Sequence, residues 1–347
     1  MANVDSLKAT AKILDELRLD PRLINSLDSV EDPARLLTRK FRAEGWTVRK
    51  APESSGLRLT SPSGTTRLRQ VQGKVWRHPD ATEKICKDKE ITRRLLEFEG
   101  VRVPRGMAFE VNDRDIADAV RPRLGHSVVV KPSNAGGSHG VTVGVTDGGG
   151  FREAWDRAAS VRTQGLRIVV EEQVPGIEVR CYVVGEQVVS AILRIQPYVV
   201  GDGESTVSQL IEKTIEYRSR NAWYNRAQPT PDLAYLRSQG LELEKVPEEN
   251  KIIILNPFHL FRLGNYTVEI LEELSPLIRD SAVRAVASIP NLEVAAVDFL
   301  TEDFRNSHGT VIEMNTAPAL TQHLYPAFGE PKDLIGSIVD HFVGETR

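Results

Sequence analysis

The C-terminal stretch LEVAAVDFLTEDFRNSHGTVIEMNTAPAL constrains the fold of this chain more than any other segment. It reads as two apolar strands joined by a polar turn, with Asp298 on the first and Glu313 and Asn315 on the second. Strand residues two apart point to the same face, so Glu313 and Asn315 project together, and a hairpin would bring Asp298 close to them. Oxygen-bearing side chains inside apolar segments need compensation if they are buried. A magnesium ion is the natural candidate, because it takes few carboxylates and leaves positions open for water and phosphates. The alternative is a surface hairpin with solvated acids.

The chain has 347 residues, long enough for a sizeable core, and a prior of about 150 residues per domain suggests two or three units. Its 45 basic and 48 acidic residues leave a net charge of -3. That balance gives no electrostatic reason to expect a nucleic-acid or membrane partner. The two cysteines, Cys86 and Cys181, lie far apart in no metal-ligand spacing, which fits a reducing compartment. The start lacks the apolar run of a signal peptide, and no stretch reaches the ~20 apolar residues that span a bilayer. A soluble, cytoplasmic protein is expected.

Residues 1–45 are charged and helical in pattern, broken at Pro21 and Pro33. From Trp46 to Trp76 the pattern becomes short strands (WTVRK, LRLT, RLRQVQ) joined by the turns PESSG and SPSG. The connection RHPDATEK leads to a helix starting near Asp88, an acceptable N-cap, and ending at Gly100. A loop with Pro104 and Gly106 and a short helix near 113–121 follow. The middle alternates strands and glycine loops: SVVVKP, GVTVGV, LRIVVEEQV, EVRCYVVG and QVVSAILRIQ, with a helix around Phe151–Val161. Further helices are predicted from Val207 to Tyr217, from Ser275-Pro276 onward, and over DLIGSIVDHF. The class is α+β with several sheets.

Lys131 ends a buried strand, where its charge is costly unless an anion meets it. The loop SNAGGSHG that follows, with Gly136, Gly137 and Gly140, can approach phosphates closely. It has neither a P-loop nor a Rossmann spacing, and an ordinary hairpin tip is the competing reading. Lys89 alone reads as a solvated side chain. Glu171 follows an apolar strand and Glu178 follows a Pro-Gly turn, so one could accept from an adenine amino group and the other from ribose hydroxyls. Arg180 shares a strand face with Glu178; it could meet a phosphate, or the two could form a plain surface pair.

Taken together, CKDKEITRRLLEFEGVRVPRG, VVVKPSNAGGSHGVTVGV, IVVEEQVPGIEVRCYVVG, VVGDGESTVSQLI and AAVDF…VIEMNTAPAL…HLYPAFG resemble an ATP-grasp carboxylate–amine ligase over roughly residues 84–343. The likeness is to the ATP-grasp module of cyanophycin synthetases, with kinship to bifunctional glutathione synthetases and D-alanine–D-alanine ligases. It implies two α+β subdomains clasping ATP: a small N-terminal domain over 1–83, then an ATP-grasp domain over 84–347. The latter divides into a nucleotide-binding part at about 84–185 and a C-terminal part with the metal site at about 186–347.

The resemblance assigns Lys89 and Lys131 to the phosphates and Ser133, Gly136, Gly137, Ser138 and Gly140 to a flap over them. Glu171 would read adenine and Glu178 ribose, while Arg180 and Arg194 would stabilise an acyl phosphate and the incoming carboxylate. Asp298, Glu313 and Asn315 would hold two magnesium ions, with manganese as the substitute. The implied reaction joins a carboxylate, of an amino acid or short peptide, to an amine through an acyl phosphate, with release of ADP and phosphate. A phosphotransferase, a silent nucleotide-binding protein and an AMP-forming enzyme are the rivals.

The pattern departs from the cyanophycin synthetases in three places. There is no Mur-ligase-like C-terminal domain, so a stand-alone ligase is expected, and the first ~80 residues look unlike theirs. Residues 218–266 carry Trp223, Tyr224, Phe258, His259, Phe261 and Arg262 where relatives have small residues beside the acceptor site. This segment could hold a carboxylate and a planar group, or pack on itself as a surface loop. His139, in the flap, and His323, beyond NTAPAL, could lie near ligand, but each reads more readily as a loop residue without catalytic duty. The apolar N-terminal helices are candidates for a homodimer interface.

Overall fold

The computed structural model describes residues 4–51 and 56–344, and the expected turn at 52–55 lies outside the described residues. The chain opens with helices α1 (Val4–Glu16) and α2 (Pro33–Ala43). Asp32 caps α2, its carboxylate accepting from the Ala34 amide, with Pro33 in the first turn, where its missing N–H costs nothing. An antiparallel meander follows: β1 (Thr47–Lys50), β2 (Leu57–Thr60), β3 (Arg67–Val71) and β4 (Lys74–Trp76). Its inward residues Leu59 and Leu68 alternate with outward ones and pack on Leu37 and Phe41 of α2.

Helices α3 (Asp80–Lys87) and α4 (Lys89–Phe98) come next. The first was expected as a plain connection; Thr82 and Cys86 on its inner side are buried, and that burial holds the turn in helical form. The second begins as predicted, with Asp88 accepting from the amides of Glu90 and Ile91.

A lobe follows, made of β5 (Gly106–Glu110), α5 (Arg114–Val120), β6 (Val128–Pro132), β7 (Thr142–Val145), α6 (Gly148–Ala159) and β8 (Arg167–Glu172). Its antiparallel sheet runs β5-β8-β6-β7. The edge strand β5 was read as loop, because only Phe109 of its five residues is buried. Gly106 is needed there, since a Cβ would stand 2.6 Å from the Glu171 Cβ. Helix α6 starts before Phe151 because Asp147 caps it, accepting from the Gly150 amide 2.8 Å away.

The remaining chain builds β9 (Ile177–Val184), β10 (Gln187–Ile195), β11 (Tyr198–Val200), α7 (Val207–Arg218), α8 (Leu233–Ser238), β12 (Ile252–Ile254) and β13 (Tyr266–Glu269). Then come α9 (Pro276–Ala287), β14 (Val294–Thr301), β15 (Thr310–Asn315), α10 (Thr321–Leu324) and α11 (Leu334–Gly344). The main sheet is antiparallel in the order β13-β10-β9-β14-β15. One face carries Val179, Cys181, Leu193, Ala295 and Val297 against Ile278, Ala282 and Val286 of α9. On the other face, at one end, Tyr182, Val184 and Val294 pack with Leu334, Ile338 and Phe342 of α11. The other end of that face is polar.

Helix α1 places Ile13 and Leu14 inside the core of the main sheet. Cys86 and Cys181 are free and buried, and burial pushes the Cys86 thiol up to about 12. Among the described residues no helix is long and apolar enough to cross a membrane.

Candidate active site

The polar end of the main sheet follows from strand register. Across β10, β9, β14 and β15, Ile192, Arg180, Asp298 and Glu313 stand in one row. Next to it lies a second row, with Thr267 on β13, Arg194 on β10 and Glu178 on β9. Directly opposed residues share a face, so four charged side chains and Glu313 rise from one patch of an otherwise apolar sheet. Asn315 stands two residues past Glu313 and shares its face.

These charges are arranged in contacts. Arg180 clamps Asp298 through two hydrogen bonds, Nε to Oδ1 at 2.6 Å and Nη2 to Oδ2 at 2.5 Å. Glu178 does not pair with Arg180 on the surface; it is buried, and its Oε1 accepts from Arg194 Nη1 at 2.6 Å. Its other oxygen meets His259 Nε2. Burial alone would push the Glu178 carboxyl up, but Arg194 and then His259 hold it well below the usual range. Glu313 is pushed the opposite way, by burial first and by the opposed Asp298 second.

The facing wall comes from the lobe and from α4. Lys131 of β6 and Glu171 of β8 are both buried and form an ion pair. Lys89 is not a solvated side chain: its Nζ donates to the Ala135 carbonyl at 2.5 Å, and its own amide donates to the Ser133 carbonyl. Burial lowers its pKa, with Lys131 adding to the effect against Glu313. Asp88, which caps this helix, also pairs with Arg167 at 2.8 Å, fixing α4 to the lobe. A cleft lies here, lined by Lys89, Lys131, Glu171 and Glu313 beside Cys86 and Met314.

The loop after β6 meets Lys89 of the cleft wall through the Ala135 carbonyl. Ser133 is wholly buried and its Oγ accepts from the Arg167 amide, while Gly136, Gly137, Ser138 and His139 are exposed. Gly140 sits at φ +74°, and a Cβ there would stand 2.7 Å from Val161, so its glycine is structural. Gly136 has nothing within 4 Å of such a Cβ, which leaves open space above the loop.

Other residues fall elsewhere than the sequence reading placed them. Trp223 stacks on Phe261 with ring centroids 4.3 Å apart, Tyr224 is fully buried, and these rings pack against the core of the main sheet. Arg218, wholly buried, lies over the rings of Tyr224 and Tyr266 and donates to the carbonyls of Gly264, Tyr224 and Ala227. His323 is not a loop residue: it is buried in α10, with Nδ1 2.7 Å from Ser190 Oγ, which also donates to Glu269. Burial, with Arg180 and Arg194 next, holds its pKa well below the ordinary value. No local sequence signal marks that network or the reach of His259 to Glu178, since both join distant segments.

Among the described residues no three His, Cys, Asp or Glu side chains are grouped to hold a metal ion. The oxygen donors on this patch are the opposed carboxylates of Asp298, which is also held by Arg180, and Glu313, with the side-chain oxygen of Asn315. That set fits magnesium, which leaves its remaining positions to water and phosphate oxygens.

A small antiparallel lobe faces a larger antiparallel sheet across a cleft of lysines and carboxylates, and this arrangement is the ATP-grasp fold. The bifunctional glutathione synthetase of Pasteurella multocida superposes with a TM-score of 0.63 at 20% identity, covering 91% of this chain and 44% of that one. Residues 96–212 match the family model described as D-ala D-ala ligase C-terminus. The cyanophycin synthetase of Geminocystis herdmanii is 28% identical over 262 residues, covering 73% of this chain and 30% of that protein. The glutathione biosynthesis bifunctional protein GshAB of Clostridium perfringens is 25% identical over 268 residues, covering 75% of this chain and 34% of that protein. The chain thus has the ATP-grasp fold and is similar in sequence to ligases of that fold, spanning about a third of the length of these curated relatives.

Proposed function

We propose that the protein is an ADP-forming ATP-grasp ligase that joins a carboxylate, of an amino acid or short peptide, to an amine. The observation that carries this reading is one cleft lined by Lys89, Lys131, Glu171 and Glu313, with Arg180, Asp298, Arg194 and Asn315 set beside Glu313 by the register of the main sheet. One wall supplies donors for phosphates and a carboxylate for the adenine amino group; the other supplies arginines for a carboxylate and for developing phosphate charge. Glu178 would receive the ribose hydroxyls. The exposed loop from Gly136 to His139 is free to fold down over the triphosphate.

Bound magnesium, held by Asp298, Glu313 and Asn315 with phosphate oxygens, would neutralise charge on the triphosphate. The substrate carboxylate oxygen attacks the γ-phosphorus as the bond to ADP breaks, giving an acyl phosphate. The amine nitrogen then attacks the carbonyl carbon and loses its proton, and phosphate leaves with the electrons of the C–O bond. The protein's share is positioning and charge stabilisation.

The test is magnesium-dependent ADP and phosphate release over pooled amino acids and dipeptides, with mass spectrometry of each pool. A new mass equal to two pool members minus water is the expected result, and a phosphorylated metabolite without an amide product would sink the ligase reading. Glu313→Gln is expected to reduce turnover by at least about a hundredfold, the scale for losing one electrostatic contact to the reacting group, while leaving the melting temperature unchanged or higher. An active variant would remove Glu313 from the metal site.

A further inference from the structure

Both carboxylate oxygens of Glu178 are already occupied, one by Arg194 and the other by His259. Arg194 comes from the adjacent strand of the same sheet and is part of the frame. His259 comes from the segment between β12 and β13, far along the chain from Glu178. Glu178 is only 6% exposed, so its open side is covered by these two partners. Resting on the ligase reading above, in which Glu178 takes ribose, we propose that residues 257–263 form a strap latched by His259, and that nucleotide enters by displacing His259 from Glu178.

The strap is held at both ends, with Phe261 stacked on Trp223, and its least supported part is the tip at Phe258 and His259. At one end Asn256 is buried, its Nδ2 donating to the Thr230 carbonyl and its Oδ1 accepting from the Phe258 amide at 3.1 Å. At the other end Gly264 sits at φ +85°, and a Cβ there would lie 2.5 Å from the Pro229 backbone. Its carbonyl is held by the buried Arg218. Between these anchors Phe258 is 46% exposed, and His259 keeps 29% of its side chain in contact with solvent. The His259–Glu178 contact is the polar tie between this tip and the sheet. Breaking it frees a tip whose ends stay in place, and it opens the ribose-facing side of Glu178 without moving the sheet.

A latch that must open reduces apparent affinity by the fraction of molecules in the open state. One hydrogen bond to a charged group sets that penalty at about tenfold. The experiment is calorimetric titration of ADP with magnesium into the wild-type protein, His259→Ala and His259→Gln. The expected result is about tenfold tighter ADP binding by His259→Ala, with His259→Gln, whose amide can still donate to Glu178, returning to the wild-type value. Unchanged or weaker binding by His259→Ala, with clear binding by the wild type, overturns the latch and leaves the nucleotide site standing. No ADP binding by any of the three overturns both. His259 lies on an exposed strap, so the variants keep their fold, and matching melting curves check this.

Discussion

At the scale of single residues, the site resolves its charges in pairs before any ligand arrives. Lys131 and Glu171 are the most enclosed of these pairs, at 7% and 5% exposure. Two ions taken out of water gain little as a pair, but either one left alone is heavily penalised. Lys131→Met is therefore expected to cost about 3 kcal/mol of stability, because it strands a buried carboxylate. Lys131→Met combined with Glu171→Gln should recover most of that loss, and neither variant should bind ADP. Urea melts of the two variants read this directly; equal losses in both would show that Glu171 does not depend on Lys131. Glu269 offers a pH-dependent case away from the cleft. Burial raises its pKa, with Ser190 and the Leu271 amide opposing. An acid with a raised folded pKa stabilises the fold in its protonated form. That contribution is fully present below the ordinary glutamate value, about 4.3, and is lost as the pH rises through the folded value. Glu269→Gln should match the wild type near about pH 4 and become the more stable protein toward about pH 7. A stability difference that stays flat over that range would contradict the burial argument.

At the scale of elements, the flap loop separates glycines that the fold needs from one that it does not. Gly140 combines a left-handed φ of +74° with a neighbour 2.7 Å from any added Cβ, whereas Gly136 has open space. Gly140→Ala is expected to lower stability by about 1–2 kcal/mol and Gly136→Ala by less than about 0.5 kcal/mol. If Gly136→Ala nevertheless weakens ADP binding, the loop meets the ligand there; thermal melts beside ADP titrations separate the two effects. The same contrast explains what could be read from the sequence. Asp298, Glu313 and Asn315 were legible because acids at period-two spacing inside apolar runs have no ordinary reason to be there. The capped helices α4 and α9 were legible from Asp88 and Ser275-Pro276. Strand β5 was hidden because it has one buried side chain, and β12 and β13 because they lie inside a long irregular segment. Arg218 drew no reading of its own; three carbonyls brought from separate turns make its burial tolerable, and no local pattern announces them.

At the scale of the whole molecule, the distribution of apolar cores predicts which part moves. The core around Phe109, Phe151, Trp155 and Val170 belongs to the lobe alone, and it shares no buried residue with the core between the main sheet and α9. The N-terminal meander is different, because Leu37, Phe41 and Leu68 belong to the same cluster as Val294, Ile338 and Phe342. The meander is thus welded to the main sheet, while the lobe is tied to α4 by polar links, such as the Lys89 amide on the Ser133 carbonyl and Arg167 on Asp88. Cooperative opening follows contiguous apolar packing, so a lobe with its own core can open below the global unfolding free energy. Amides of β6 and β8 should exchange hydrogen faster than those of β9 and β14, although all four strands are buried. ADP with magnesium bridges the two walls in the proposed site, and binding to the closed form adds protection in proportion to its affinity. That protection should appear in β6, β8 and the loop from Ser133 to Gly140, and leave the meander unchanged. Hydrogen exchange read by mass spectrometry with and without ADP makes the comparison. Uniform protection in the free protein, or an ADP effect concentrated in the meander, would show that the lobe does not move as a separate body.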